Sequence, residues 1–168
     1  PGDPDWAGGT VYRDERTTDI EADSETAYRV ICTIGGKHGY WGSDYLWRFR
    51  GLLDQLIGGP GLRRGRRHPT HLRYGEAVDF WRVRKIIPFK QLTLYAEMWV
   101  PGDAELDFTI EPISDSKCRV TQTARFRPRG LTGILYWYSV APLHHFVFQA
   151  MLNGIRRESE EKFQAQTS

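Results

Sequence analysis

From residue 92 to residue 126 the chain alternates between apolar and polar positions. Leu92, Leu94, Ala96, Met98 and Val100 alternate with Thr93, Tyr95, Glu97 and Trp99. Leu106, Phe108 and Ile110 are interleaved with Glu105, Asp107, Thr109 and Glu111. Cys118, Val120, Gln122, Ala124 and Phe126 are interleaved with Arg119, Thr121, Thr123 and Arg125. A period of two places successive side chains on opposite faces, so each run predicts a strand with one dry and one wet side. Pro101-Gly102-Asp103 and Asp115-Ser116-Lys117 supply turns between them, which makes the sheet antiparallel. Residues 76–87 predict an earlier strand with bulky groups on both faces, and Val11 to Ile20 an exposed one.

Elsewhere the period is that of a helix. Ala27, Val30, Ile31 and Ile34 follow a cap at Asp23 or Ser24, and Gly35-Gly36 ends that helix. Leu46, Phe49, Leu53 and Leu56 predict a second helix from Asp44 to Ile57, stopped by Gly58-Gly59-Pro60-Gly61. Ile134, Tyr138, Ala141, His145, Phe148, Leu152 and Ile155 predict a long last helix, bent at Pro142. A strand, two helices, a meander and a long helix define an α+β plan, in which a curved antiparallel sheet wraps a long C-terminal helix. Residues 1–9 read as a linker, 10–157 as the domain and 158–168 as a polar C-terminal tail. Gly130 to Ile155 carries no Asp, Glu, Lys or Arg. Its Pro, His, Gln, Asn and Gly content still argues against a membrane span.

Charge adds a feature that the net value of +2 hides. Residues 46–85 hold ten basic and three acidic side chains, and the remainder holds thirteen and eighteen. A local positive field of this kind attracts anions. Within it Arg63, Arg64, Arg66 and Arg67 follow a glycine hinge, and guanidinium forks grip phosphate or carboxylate in bidentate fashion. These arginines are candidate anion ligands; pairing with Asp54, Glu76 and Asp79 is the alternative. Nucleic acid is disfavoured as a partner, because Trp41, Trp47 and Trp81 sit in core-like patterns. Two cysteines make neither a disulfide framework nor a zinc site and predict a reducing cytoplasm. No metal site is expected, since the adjacent His144 and His145 point about 100° apart on a helix.

A helix laid across a curved sheet leaves a wedge suited to an apolar small molecule such as a lipid. Candidate lining residues are Trp47, Arg48, Asp79, Trp81, Glu97, Met98, Gln122, Tyr138 and His145. Asp79, Glu97 and Gln122 are polar within apolar rows, so each is either satisfied structurally or aimed into a cavity. One alternative is a small enzyme in which Asp79, Glu97, Gln122 or His145 converge for acid–base work. Another is an interaction domain docking through its arginines.

LWRFRGLLDQLIGGPGLRRGRR (46–67), VDFWRV (78–83), AEMWVPGDAEL (96–106) and FRPRGLTGILYWYSVAPLHHFVF (126–148) together resemble a bacterial family of unknown function. That family is assigned to the SRPBCC superfamily of START-like, helix-grip domains, and the resemblance covers about residues 10–157. It implies a helix-grip fold and an apolar ligand cavity, but no catalytic residues. Its members often follow an NAD(P)-binding, NmrA-like domain, and the opening DPDWAGG is similar to the linker of such fusions. The resemblance therefore implies an upstream NAD(P)-binding partner and no cofactor held by this chain.

Overall fold

The computed structural model describes residues 10–36, 38–41, 67–68, 70–97 and 100–167. Among them six strands form one sheet: β1 (Tyr12–Ile20), β2 (Ala77–Val78), β3 (Trp81–Ile87), β4 (Gln91–Ala96), β5 (Gly102–Ser114) and β6 (Lys117–Pro128). Their spatial order is β1-β6-β5-β4-β3-β2, with every neighbouring pair antiparallel. Helix α1 (Ser24–Ile31) follows β1, and helix α2 (Gly130–Thr167) closes the chain. The α+β class and the strand meander are as the alternation predicts. The helix expected at 44–57 lies outside the described residues.

Local chemistry explains the boundaries. Asp23 caps α1 by accepting from the Thr26 N–H, and the helix ends at Ile31, a turn before the glycines. Gly35 and Gly36 instead adopt left-handed backbone in a turn that pairs Gly35 with Gly39. The single strand expected over 76–87 is a hairpin. Asp79 takes a left-handed φ of 51° and reverses the chain, so that Val78 pairs with Trp81. That reversal is why the segment lacks one clean alternation. β4 stops at Ala96, and β5 begins at Gly102, within the expected turn.

The rotation of α2 also differs from the expected stripe. Its dry side is Gly133, Val147, Phe148, Met151, Leu152, Gly154, Ile155 and Ser159, with Trp137, Val140 and His144 half-buried. Tyr138 and His145, expected to face the sheet, are exposed, Tyr138 to 65%. Two close approaches fix this rotation. A Cβ on Gly133 would stand 2.3 Å from the Pro101 carbonyl oxygen, and one on Gly154 2.2 Å from the Trp41 Cβ. Only glycine permits either contact.

The helix also runs on to Thr167, with residues 164–167 exposed. Ser159 is fully buried, Phe163 packs against the core, and Glu158 accepts from the Trp41 indole at 2.6 Å. The core is continuous from α1 (Ala27, Val30, Ile31) through the inner sheet face to the second half of α2. It includes both cysteines. No helix among the described residues is long and apolar enough to cross a membrane.

Candidate functional site

Between the first half of α2 and the far ends of β3–β6 the packing leaves an apolar hollow of about 50 Å³. Its floor is made of small side chains, Ala96, Ala104 and Ala124, one from each of three neighbouring strands. Its roof is aromatic: Tyr136, Trp137, His144 and Phe148 from α2. Trp81 and Phe126 close the sides. Alternation puts Ala124 and Phe126 on one face of β6, and register brings Ala104 opposite Phe126 and Leu106 opposite Ala124. Trp137 stacks on Tyr12 (centroids 5.1 Å apart, planes at 17°) and on Phe126 (5.8 Å, 10°), and meets His144 edge-on. Tyr138, at the rim, rests edge-on against Tyr12. Burial first, and then the Tyr138 hydroxyl, hold the Tyr12 phenol above its ordinary pKa.

A polar cluster built on β1 meets the same helix. Arg16 grips both oxygens of Asp14 at 3.0 and 2.8 Å and donates to the His145 carbonyl at 2.9 Å. It also reaches Gln149 Oε1 at 3.2 Å and His145 Nδ1 at 3.1 Å. Gln122 is opposite Arg16 in the β1–β6 register; it is 1% exposed, and among the described residues its Oε1 has no hydrogen-bond partner. A charged pair, a buried amide and helix side chains thus lie between sheet and helix. The Arg16 and Asp14 side chains are only 11% and 23% exposed, so their ion pair is shielded from water.

The structure gathers few of the residues proposed from sequence. Trp81 lines the hollow. Gln122 and His145 flank the Arg16 cluster. Asp79 is a structural staple, accepting from the Gly36 N–H at 3.0 Å and the Tyr40 hydroxyl at 2.9 Å. Glu97 takes two bonds from Arg82, 2.8 and 2.9 Å long, and so ties β3 to the end of β4. Of the four groups proposed for acid–base work, Asp79 and Glu97 thus engage separate partners, away from the Arg16 cluster that Gln122 and His145 flank. Trp47, Arg48, Met98, Arg63, Arg64 and Arg66 lie outside the described residues, and Arg67 is exposed. Among the described residues no group of three His, Cys, Asp or Glu side chains is placed to hold a metal ion.

Sequence reasoning missed Asp14, Arg16 and the alanine floor. The first two were findable, because Tyr12, Asp14, Arg16, Thr18 and Ile20 share one strand face, whose last member is fully buried. The alanines were visible only as members of alternating rows.

A curved antiparallel sheet gripping a long C-terminal helix, with an apolar hollow between them, defines a helix-grip fold. The chain belongs to the family described as "Protein of unknown function (DUF2867)", which matches residues 6–151. Among solved structures it is similar to the Zhui aromatase/cyclase from a Streptomyces species. The identity is 15% and the TM-score 0.55, over 91% of this chain and 96% of that one. It is also similar to a Thalictrum flavum norcoclaurine synthase variant solved with a transition-state analogue (11%, 0.54, 93% and 98%). A third likeness, to a Chromobacterium violaceum protein, has 13% identity and a TM-score of 0.50 over 89% and 96%. At such identities these likenesses establish the fold alone. No curated protein sequence matches.

Proposed function

We propose that this domain binds an apolar, ring-containing small molecule between the first half of α2 and the sheet. The observation that carries the reading is the alanine floor beneath an aromatic roof. Three neighbouring strands withhold bulk at one place, and four ring-bearing helix residues, with Phe148 the most deeply buried of them, stand over it. At about 50 Å³ the hollow admits only a few atoms, so a ligand enters by displacing roof side chains. The roof suits that, because Tyr136, Trp137 and His144 are only half-buried and α2 is anchored chiefly by its second half. A ligand ring would then replace Trp137 in the stack between Tyr12 and Phe126, exchanging one aromatic contact for another. The separate engagement of Asp79 and Glu97 favours binding over acid–base catalysis.

The test uses protein purified without detergent. Native mass spectrometry should find apolar material bound, and the neutral tricyclic ketone anthrone should quench tryptophan fluorescence saturably. Ala124→Phe, which fills the floor, should abolish both. Anthrone binding unchanged by Ala124→Phe would refute the reading.

A further inference from the structure

A second and larger cavity lies at the opposite end of the molecule, bounded by α1, the residues before β2, the β3–β4 turn and the last turns of α2. It measures about 640 Å³, within the range of small-molecule sites. Its floor is Tyr28, Leu72, Ile86 and Phe89; the first three are partly buried and continuous with the core. Arg29 and Lys162 stand among the lining residues, and among the described residues no carboxylate does. Each cation has one partner on its own helix, Glu25 for Arg29 and Glu158 for Lys162. A guanidinium has five N–H donors and an ammonium three, so both retain donors for a second anion.

Phe89 gives this cavity its shape. It occupies the β3–β4 turn with φ at +61°, a left-handed backbone that a bulky side chain rarely takes. Glycine or asparagine would make the same turn without strain. What the phenylalanine provides is a ring 5.6 Å from that of Tyr28, with the planes at 77°. The two rings form a corner into which a third can pack by face or edge. The Tyr28 hydroxyl is turned to the Cys32 thiol, and burial with that neighbour raises its pKa, so the ring is presented as a neutral phenol.

The geometry points to a binding site for an aromatic carboxylate, its ring in the Tyr28–Phe89 corner and its carboxylate on Arg29 and Lys162. This site is separate from the hollow under α2 and does not rest on the reading given for it. Aromatic bulk suits the corner, and the two cations in the lining select an anion.

Calorimetric titration with 2-naphthoate tests it, with 2-naphthalenemethanol as the uncharged comparison. The intact chain should bind 2-naphthoate saturably and at least about tenfold more tightly than the alcohol. Phe89→Ala should weaken the carboxylate at least about fivefold. Arg29→Gln combined with Lys162→Gln should bring its affinity down to that of the alcohol, and Arg29→Lys should retain most of it. All three residues lie at the surface, so melting temperatures near that of the parent chain should accompany the losses. Equal binding of carboxylate and alcohol, or 2-naphthoate affinity untouched by Phe89→Ala, would overturn the assignment. So would 2-naphthoate binding lost in Ala124→Phe but kept in Phe89→Ala, which would place that ligand under α2.

Discussion

Trp137 holds the candidate site together, stacking on Tyr12 and Phe126 while covering the alanine floor. Trp137→Ala should destabilise the domain by about 2 kcal/mol, below the cost of a fully buried tryptophan because this one is half-exposed. Urea unfolding would measure it. Arg16 makes a different kind of contribution. Its removal strands a shielded carboxylate, so Arg16→Met should cost about 2 kcal/mol, and adding Asp14→Asn should recover part of that. An additive double variant would show that the pair does not couple. At Glu158, burial raises the carboxyl pKa, but hydrogen bonds from Lys162 and Trp41, with His38 alongside, outweigh it and hold the group below its ordinary value of 4.5. The unfolded chain then binds the proton more readily, so this contribution is complete above the ordinary value and fades as pH falls through the lower, folded one. Glu158→Gln should lower stability at neutral pH and flatten the acid limb of a stability–pH profile. A limb of unchanged slope would contradict that. These residues were poorly legible in the sequence: Glu158 reads as polar surface because its partner, Trp41, is 117 positions away.

The strands were the most legible elements, since alternation is a local signal and β5 and β6 pair in the register that alternation implies. The hairpin at Asp79 was not legible, because a left-handed aspartate leaves no periodic trace. Helix α2 was legible at its start but not at its end, and in its first half it is rotated from the expected stripe. The apolar content there runs nearly all round the helix, so the pattern could not choose a face. Leu131, Leu135, Tyr138, Leu143 and Phe146 remain exposed on it. The deciding contacts are tertiary, at Gly133 and Gly154. Gly154→Ala gains about 1 kcal/mol in helix propensity, yet places a methyl group against Trp41 and should cost about 1–3 kcal/mol in packing. A net fall in melting temperature is the expected result, and a rise would mean that Trp41 yields easily.

At the scale of the whole molecule, α2 is held unequally. From Val147 onward it is locked by Val147, Phe148, Met151, Leu152 and Ile155, while the turns before are mostly half-buried or exposed. Local opening follows apolar contact density. Amide hydrogen exchange should therefore protect 147–159 more strongly than 131–143, and uniform protection along the helix would contradict the proposed route of ligand entry. The burial of Cys118 has a practical consequence of its own. Packed on β6 opposite Ile20 of the edge strand β1, its thiol is pushed up to about 11 by burial, with Asp23 and Asp19 adding to the effect. Alkylating reagents attack thiolate, which is scarce at neutral pH behind a closed strand pair. The native cysteine is thus a built-in stopwatch, and the speed at which iodoacetamide caps it records how often the β1 border of the sheet peels away.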